Sequence, residues 1–266
     1  QPDAIIVGTG LGCLDDTTKF LNVLIENNES MLNPTPFIQS THNTIAGQIA
    51  LLLKCKGYNL TFTQKSLSFE TALMDAFTLM NLGEANSVLL GGADEFNDDL
   101  MELVEASGCI SAEEYNFFSE GASFFTLTNQ KEEGLVQIVD MQLVHQLKEK
   151  IELEQKLDEF LQRNQLSMDD VDLLISGADN NKTQNHYYQE VADLLSNSCA
   201  VNYKRWVGTH PTVSSFALHL ANVILKNNYL PNLLASEKEI QKKYKHALIF
   251  NYTNNEDLSF VLLTKD

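Results

Sequence analysis

The chain is poor in basic residues: 18 Lys and Arg stand against 36 Asp and Glu, for a formal net charge of -18. Nucleic acid and anionic membrane surfaces need basic protein surface, so both are excluded as partners by this balance. No apolar run approaches the roughly 20 residues that span a bilayer, and no secretory signal opens the chain. A soluble, cytoplasmic protein is therefore expected. Cysteine is scarce too, and Cys13, Cys55, Cys109 and Cys199 are widely spaced. That spacing offers neither a zinc site nor a redox couple, and buried free thiols are the expected state. No metal and no cofactor are expected.

What the 266 residues do contain is 44% hydrophobic residues, enough for a sizeable core in one large domain or two fused halves. Ala4 to Val7 reads as an apolar strand, followed by the turn Gly8-Thr9-Gly10-Leu11-Gly12 and a helix near Asp16 to Ile25. Glycines at alternate positions do not give the dinucleotide fingerprint, and no strand ending in an acid follows at the required distance. Asn33-Pro34-Thr35-Pro36-Phe37 reads as a turn-rich linker, because its two prolines interrupt helix and central strand alike. His42 is either a general base or a solvated or capping histidine. Leu147 to Asn164 has the pattern of a solvated helix over a sheet, with Ile151, Leu153, Leu157, Phe160 and Leu161 apolar. Ser167 to Val171 reads as a cap and helix start, and Leu173 to Asp179 as a strand. Alternating strands and helices of this kind predict an α/β fold with parallel sheet.

The stretch that organises the chain is Asn59-Leu60-Thr61-Phe62-Thr63-Gln64-Lys65-Ser66-Leu67-Ser68-Phe69-Glu70 and the helix after it, with Leu73, Ala76, Phe77 and Met80 at helical spacing. A strand there enters a helix through a polar turn. A side chain at such a corner lies beside unpaired N–H groups and the positive end of the helix dipole, which suits a nucleophile. The corner carries Ser66, read either as a nucleophile or as an N-cap.

This corner resembles the nucleophile elbow of the β-ketoacyl synthases, with Asn59-Leu60-Thr61 and Asp75-Ala76 holding the register at its two ends. The resemblance extends through Asn43, Ala46 and Gly47 before the elbow. It continues through Gly83-Glu84-Ala85-Asn86, Gly91-Gly92-Ala93-Asp94 and Glu120-Gly121-Ala122 after it. It implies a thiolase-like α/β fold: two related halves with mixed sheets and helices layered between and outside. Residues 1–135 would form the N-terminal half, without the family's usual first strand, and 136–266 the C-terminal half.

The same resemblance implies that the catalytic set is lost. Ser66 stands at the family's cysteine. Ala178 or Asp179 stands at its first histidine, with His186 and Glu190 on the next helix. Thr209 stands at its second histidine, with His210 one residue late beside Pro211. The family's closing glycine-rich turn is replaced by residues 251–257, which hold no glycine. A hydroxyl without an adjacent base is a poor acyl acceptor. The expected function is that of a catalytically impaired homologue, acting as a chain-length factor beside an active ketosynthase in fatty-acid-like or polyene biosynthesis.

Ser68-Phe69-Glu70 and the run from Pro211 to Leu218 resemble the ketosynthase-like members of aryl polyene and flexirubin clusters. The expected partners are an active ketosynthase subunit (heterodimer) or a second copy (homodimer), with Phe62, Phe69 and Met74 forming a tunnel wall. Acyl carrier protein is a further partner, although the acidic charge disfavours its docking outside basic patches at Lys204-Arg205 or Lys242-Lys243. Two rival readings stand beside this one: a residual acyltransferase or decarboxylase using Ser66 with His210, and a lone acyl-binding module.

Overall fold

The computed structural model describes residues 1–30, 33–108, 117–130, 132–147, 150–178, 185–231, 233–234, 243–253 and 257–265. They group into two units, Gln1–Gln130 with Gly208–Ser215, and Lys131–Val207 with Phe216–Asp266. The return of Gly208–Ser215 to the first unit brings a late segment of sequence to an early sheet.

In the first unit a four-stranded sheet runs in the order β2-β1-β3-β4. Its strands are β1 (Ala4–Gly8), β2 (Tyr58–Phe62), β3 (Ser87–Asp94) and β4 (Gly121–Thr128). The first three pair in parallel and β4 pairs antiparallel to β3. All five residues of β1 are buried, as an apolar strand covered on both faces requires. Side chains alternate across the sheet, and Ile5 and Val7 pack with Ala46 of helix α3 (Thr44–Leu53). On the opposite face α4 (Ser68–Asn81) lies against β1 and β3, burying Phe69, Ala72, Leu73, Ala76 and Leu79. The expected apolar stripe thus forms, with Phe77 and Met80 at its half-buried margin.

Helix α1 (Leu14–Glu26) packs on α2 (Pro34–Ser40), where Phe20 and Phe37 bring their ring centroids to 5.5 Å. Helix α2 corrects the expectation of a linker around the two prolines. Asn33 caps it, its side chain accepting from the Thr35 N–H at 3.0 Å, and both prolines fall in the first turn. A first-turn residue has no intrahelical use for its N–H, so proline is tolerated there. Helix α5 (Asp98–Ala106) follows β3.

The second unit holds a five-stranded sheet in the order β5-β9-β8-β6-β7. Its members are β5 (Gln137–Val144), β6 (Leu173–Ser176), β7 (Cys199–Asn202), β8 (His246–Tyr252) and β9 (Leu258–Thr264). Strand β6 runs parallel to β7 and β8, while β8, β9 and β5 alternate in direction. Leu153, Leu157, Phe160 and Leu161 of α6 (Lys150–Arg163) share one core with Tyr188 and Val191 of α7 (Asn185–Leu194), and with Leu174, Phe250 and Phe260 from the sheet. Each such side chain contributes about 1.5–3 kcal/mol by burial. Two further helices, α8 (Lys204–Val207) and α9 (Ser214–Asn227), complete the elements. Among the described residues no helix is long and apolar enough to cross a membrane.

The helix start expected at Ser167 is a single 3₁₀ turn, Met168–Asp170, which Val171 ends by returning to extended backbone. The Asp170 carboxylate accepts from the Ser167 hydroxyl at 2.7 Å and from its N–H at 2.8 Å, and these bonds hold its pKa below the ordinary carboxylate value. A depressed native pKa stabilises the fold above the unfolded value, and that contribution is lost as pH falls through the lowered one. Ser167→Ala removes the larger cause, so Asp170 should titrate at higher pH in a carboxyl-carbon NMR titration; an unmoved midpoint would contradict this origin.

Candidate functional site

Strand β2 ends at Phe62 and the chain turns through a 3₁₀ segment, Lys65–Leu67, before α4 begins at Ser68. Lys65 adopts φ +50°, a left-handed conformation that costs a side-chain-bearing residue about 1 kcal/mol. Ser68 fixes the turn: its hydroxyl accepts from the Gln64 N–H at 2.8 Å and donates to the Lys65 carbonyl at 2.7 Å. Ser68 is fully buried and Ser66 is exposed. The N-cap position of α4 is Leu67, without a side-chain cap, so Ser66 does not have the capping role expected of it. The 3₁₀ turn delays the helix and leaves the Ser66 side chain outward. The start of α4 comes so close to the sheet that a Cβ on Gly8 would lie 2.4 Å from the Ser68 carbonyl oxygen, and one on Gly92 3.0 Å from the Phe69 ring.

Beside the elbow lies a carboxylate that the sequence marks only as the last residue of the Gly91-Gly92-Ala93-Asp94 motif. Asp94 ends β3, is 5% exposed and accepts five hydrogen bonds. Oδ1 receives the Thr9 hydroxyl at 3.0 Å and the N–H groups of Gly10 and Leu11 at 2.7 Å each. Oδ2 receives the Thr212 N–H at 2.8 Å and its hydroxyl at 2.7 Å. The turn after β1 is a nest of N–H groups of the kind that binds phosphate, and the protein's own carboxylate fills it. The next residue, Glu95, accepts from the Asp15 N–H at 2.9 Å and supplies the anion that the start of α1 needs. An acid at the carboxyl end of a buried strand was the available signal.

Gly208–Ser215 is held to this unit at further points. The Thr209 N–H donates to the Phe117 carbonyl and the Ser119 N–H donates to the Thr209 carbonyl, each at 2.9 Å. Pro211 fills the space over Gly10, whose absent Cβ would also lie 3.3 Å from the Lys65 carbonyl oxygen. His210 is 7% exposed, with its Nδ1 3.1 Å from the Ser119 hydroxyl. No hydrogen bond joins His210 to Ser66, so the expected Ser66 and His210 pair is not formed; the residue after the family's histidine position turns its ring toward β4 instead.

Of the remaining candidates, Phe69 is buried against Phe125, its ring centroid 6.2 Å away, and is core; Phe62 and Met74 are half-buried. His42 is exposed, its ring lying over the bare face of Gly12, and Asn43 rather than His42 stands at the start of α3. In the second unit Ala178 is half-buried after β6, while Asp179 lies outside the described residues, as do Cys109, Lys242 and residues 254–256. His186 is exposed on α7 with its ring tilted against Tyr187, which stacks on Tyr252.

The end of β8 is tied down. The Tyr203 hydroxyl donates to Asn251 Oδ1 at 2.7 Å, and the Tyr188 hydroxyl donates to the Tyr252 carbonyl at 3.0 Å while accepting from its N–H at 2.8 Å. Lys204 is buried and Arg205 exposed, so the two do not form the expected basic patch. Cys13, Cys55 and Cys199 are free thiols; burial, with Glu95 and Asp16 nearby, pushes the Cys13 pKa up and away from a reactive thiolate. Among the described residues no group of three His, Cys, Asp or Glu is placed to hold a metal.

A helix entered from an elbow strand, over a mixed sheet whose strand β3 ends in the Asp94 clamp, is the arrangement of a thiolase-like α/β fold. A family model described as "Beta-ketoacyl synthase, N-terminal domain" matches residues 11–168, and the chain belongs to this family. Solved structures agree on the fold. "The ishigamide ketosynthase/chain length factor" matches at TM-score 0.79 and 17% identity, over 98% of this chain and 72% of that one. The complex of the ketosynthase ApeO with its chain length factor ApeC from Xenorhabdus doucetiae matches at 0.77 and 13%, over 99% and 74%. A β-ketoacyl synthase from Burkholderia phymatum matches at 0.76 and 13%, over 99% and 76%. No curated protein sequence matches the chain.

Two measurements check the roles assigned here. Asp94→Asn replaces an oxygen by an NH₂ group facing donors, and should lower the unfolding free energy by about 3 kcal/mol in urea titrations, since unmet buried donors and lost charged bonds each cost 1–3. At the elbow, Ser68→Ala should cost about 1–2 kcal/mol and Ser66→Ala less than about 0.5. Equal effects at the two serines would refute the division of labour.

Proposed function

We propose that this chain is a condensation-impaired ketosynthase homologue that works as the chain-length-factor subunit of an active ketosynthase, in fatty-acid-like or aryl polyene assembly. The observation that carries the reading is where the apolar surface lies. Of seventeen exposed large hydrophobic residues among those described, nine fall between residues 21 and 60. Leu51 and Leu52 at the end of α3 are 73% and 80% exposed, and Tyr58 and Leu60 are exposed on β2, which among the described residues pairs with β1 alone and forms the edge of its sheet. An exposed apolar edge strand beside exposed leucines is the kind of surface that a partner chain covers.

The chemistry supports the same role from the other side. The elbow presents Ser66 without a base, and a hydroxyl of ordinary acidity does not take up an acyl group from a thioester at a useful rate. Solved structures similar to this chain include ketosynthases with their chain length factors, which favours a ketosynthase as the occupant of this edge. Acyl carrier protein would then be met by the assembled pair, because the acidic chain alone offers it little basic surface.

Co-expression with a candidate ketosynthase should give a 1:1 complex by native mass spectrometry, and withholding this chain should change product length. Leu52→Glu combined with Leu60→Asp should weaken the complex by at least ~100-fold, as expected for charges placed in an apolar interface centre. A chain that stays alone with every ketosynthase offered, or a product length indifferent to it, would refute the reading.

A further inference from the structure

The first unit contains a serine and histidine pair outside the elbow, and its surroundings are shaped to hold it. Ser119 Oγ lies 3.1 Å from His210 Nδ1. The backbone bridge between Phe117, Ser119 and Thr209 fixes the two residues side by side. Two glycines make room for them. Gly208 has φ +74°, and a Cβ on it would lie 2.8 Å from the Ser119 Cβ and Oγ; a Cβ on Gly121 would lie 3.0 Å from His210 Cε1. The imidazole is 7% exposed while Ser119 is half-buried, so the base is shielded from water and the hydroxyl is within reach of solvent.

We propose that Ser119 and His210 form a nucleophilic dyad acting on activated acyl groups, an ester or thioester carbonyl, in addition to any role of the chain as a partner subunit. A nucleophile needs a base within hydrogen-bond reach of its proton, and this is the Ser and His pair the structure joins. As the Ser119 Oγ to carbonyl carbon bond forms, the hydroxyl proton passes to His210 Nδ1. The bond from carbon to the leaving alcohol or thiol then breaks and the leaving group takes that proton. Water attacks the resulting ester, His210 receives the water's proton, and the carboxylic acid departs as Ser119 Oγ is reprotonated.

The test uses the full chain without any partner, so its outcome is separate from the subunit reading. The chain is incubated with a fluorophosphonate, and separately with p-nitrophenyl butyrate, and followed by intact and peptide mass spectrometry. One phosphonate per chain is expected at Ser119. It should be lost in Ser119→Ala and slowed at least ~100-fold in His210→Gln, the scale of lost general-base assistance. Butyrate release should follow the same order. Ser119→Cys, which keeps a nucleophile beside the same imidazole, should regain labelling by a chloroacetamide at a rate that depends on His210. No adduct on the wild type, an adduct undiminished in Ser119→Ala, or one mapped to Ser66 overturns the proposal. Should His210→Gln fail to fold, the two Ser119 variants still decide it.

Discussion

The Asp94 carboxylate holds together parts of the first unit that are far apart in sequence. It joins the turn after β1 to Thr212, more than a hundred residues downstream, through five hydrogen bonds that all point at one buried anion. A buried charge of this kind is tolerated only when its lone pairs are fully used, and removing its donors is far more costly than the net worth of any one bond. Gly208–Ser215 cannot leave this unit without exposing that cost. Its neighbour Glu95 serves the start of α1 in the same way, so the end of a single strand sets the turn after β1, the entry of a helix and the position of His210.

The same clamp accounts for what the fold does not do here. A nest of N–H groups after a parallel strand would attract a phosphate, but the protein supplies its own anion and the glycines serve close packing instead. At the elbow, the dipole end and turn of a nucleophile site persist, but the hydroxyl that is hydrogen-bonded into the turn belongs to Ser68. Ser66 is left at the surface. The scaffold at the elbow rests on backbone approach and buried donors, and Ser68 belongs to that scaffold while the exposed Ser66 does not.

How much of this was legible in the sequence follows the range of each interaction. The strand at Ala4, the apolar stripe of α4 and the core face of α6 were read correctly because they depend on local periodicity, which the chain displays directly. The prolines at 34 and 36 misled, since proline reads as a breaker unless its position within a helix is known, and only the Asn33 cap places them in the first turn. Asp94, Ser68 and Ser119 were missed for a different reason. Each acts on a partner that sequence spacing does not reveal, whether 118 residues away, as Thr212 is from Asp94, or three, as in a 3₁₀ turn whose start no periodicity marks. His210 stands out in the sequence, but its hydrogen bond to Ser119 links residues 91 positions apart that no spacing connects.

In the second unit the end of β8 is held by specific side chains. Asn251 and Tyr252 stand where a glycine-rich turn would begin, and their bulk is met by specific partners: Tyr203 on the Asn251 amide, Tyr188 on both backbone groups of Tyr252, and Tyr187 stacked on the Tyr252 ring. Gly177 permits this arrangement, since a Cβ there would fall on the Asn251 side chain. A glycine turn is cheap to deform because its backbone is permissive, whereas a strand end tied by three tyrosines must break buried hydrogen bonds to move. A catalytic gate benefits from the first property and a fixed wall from the second.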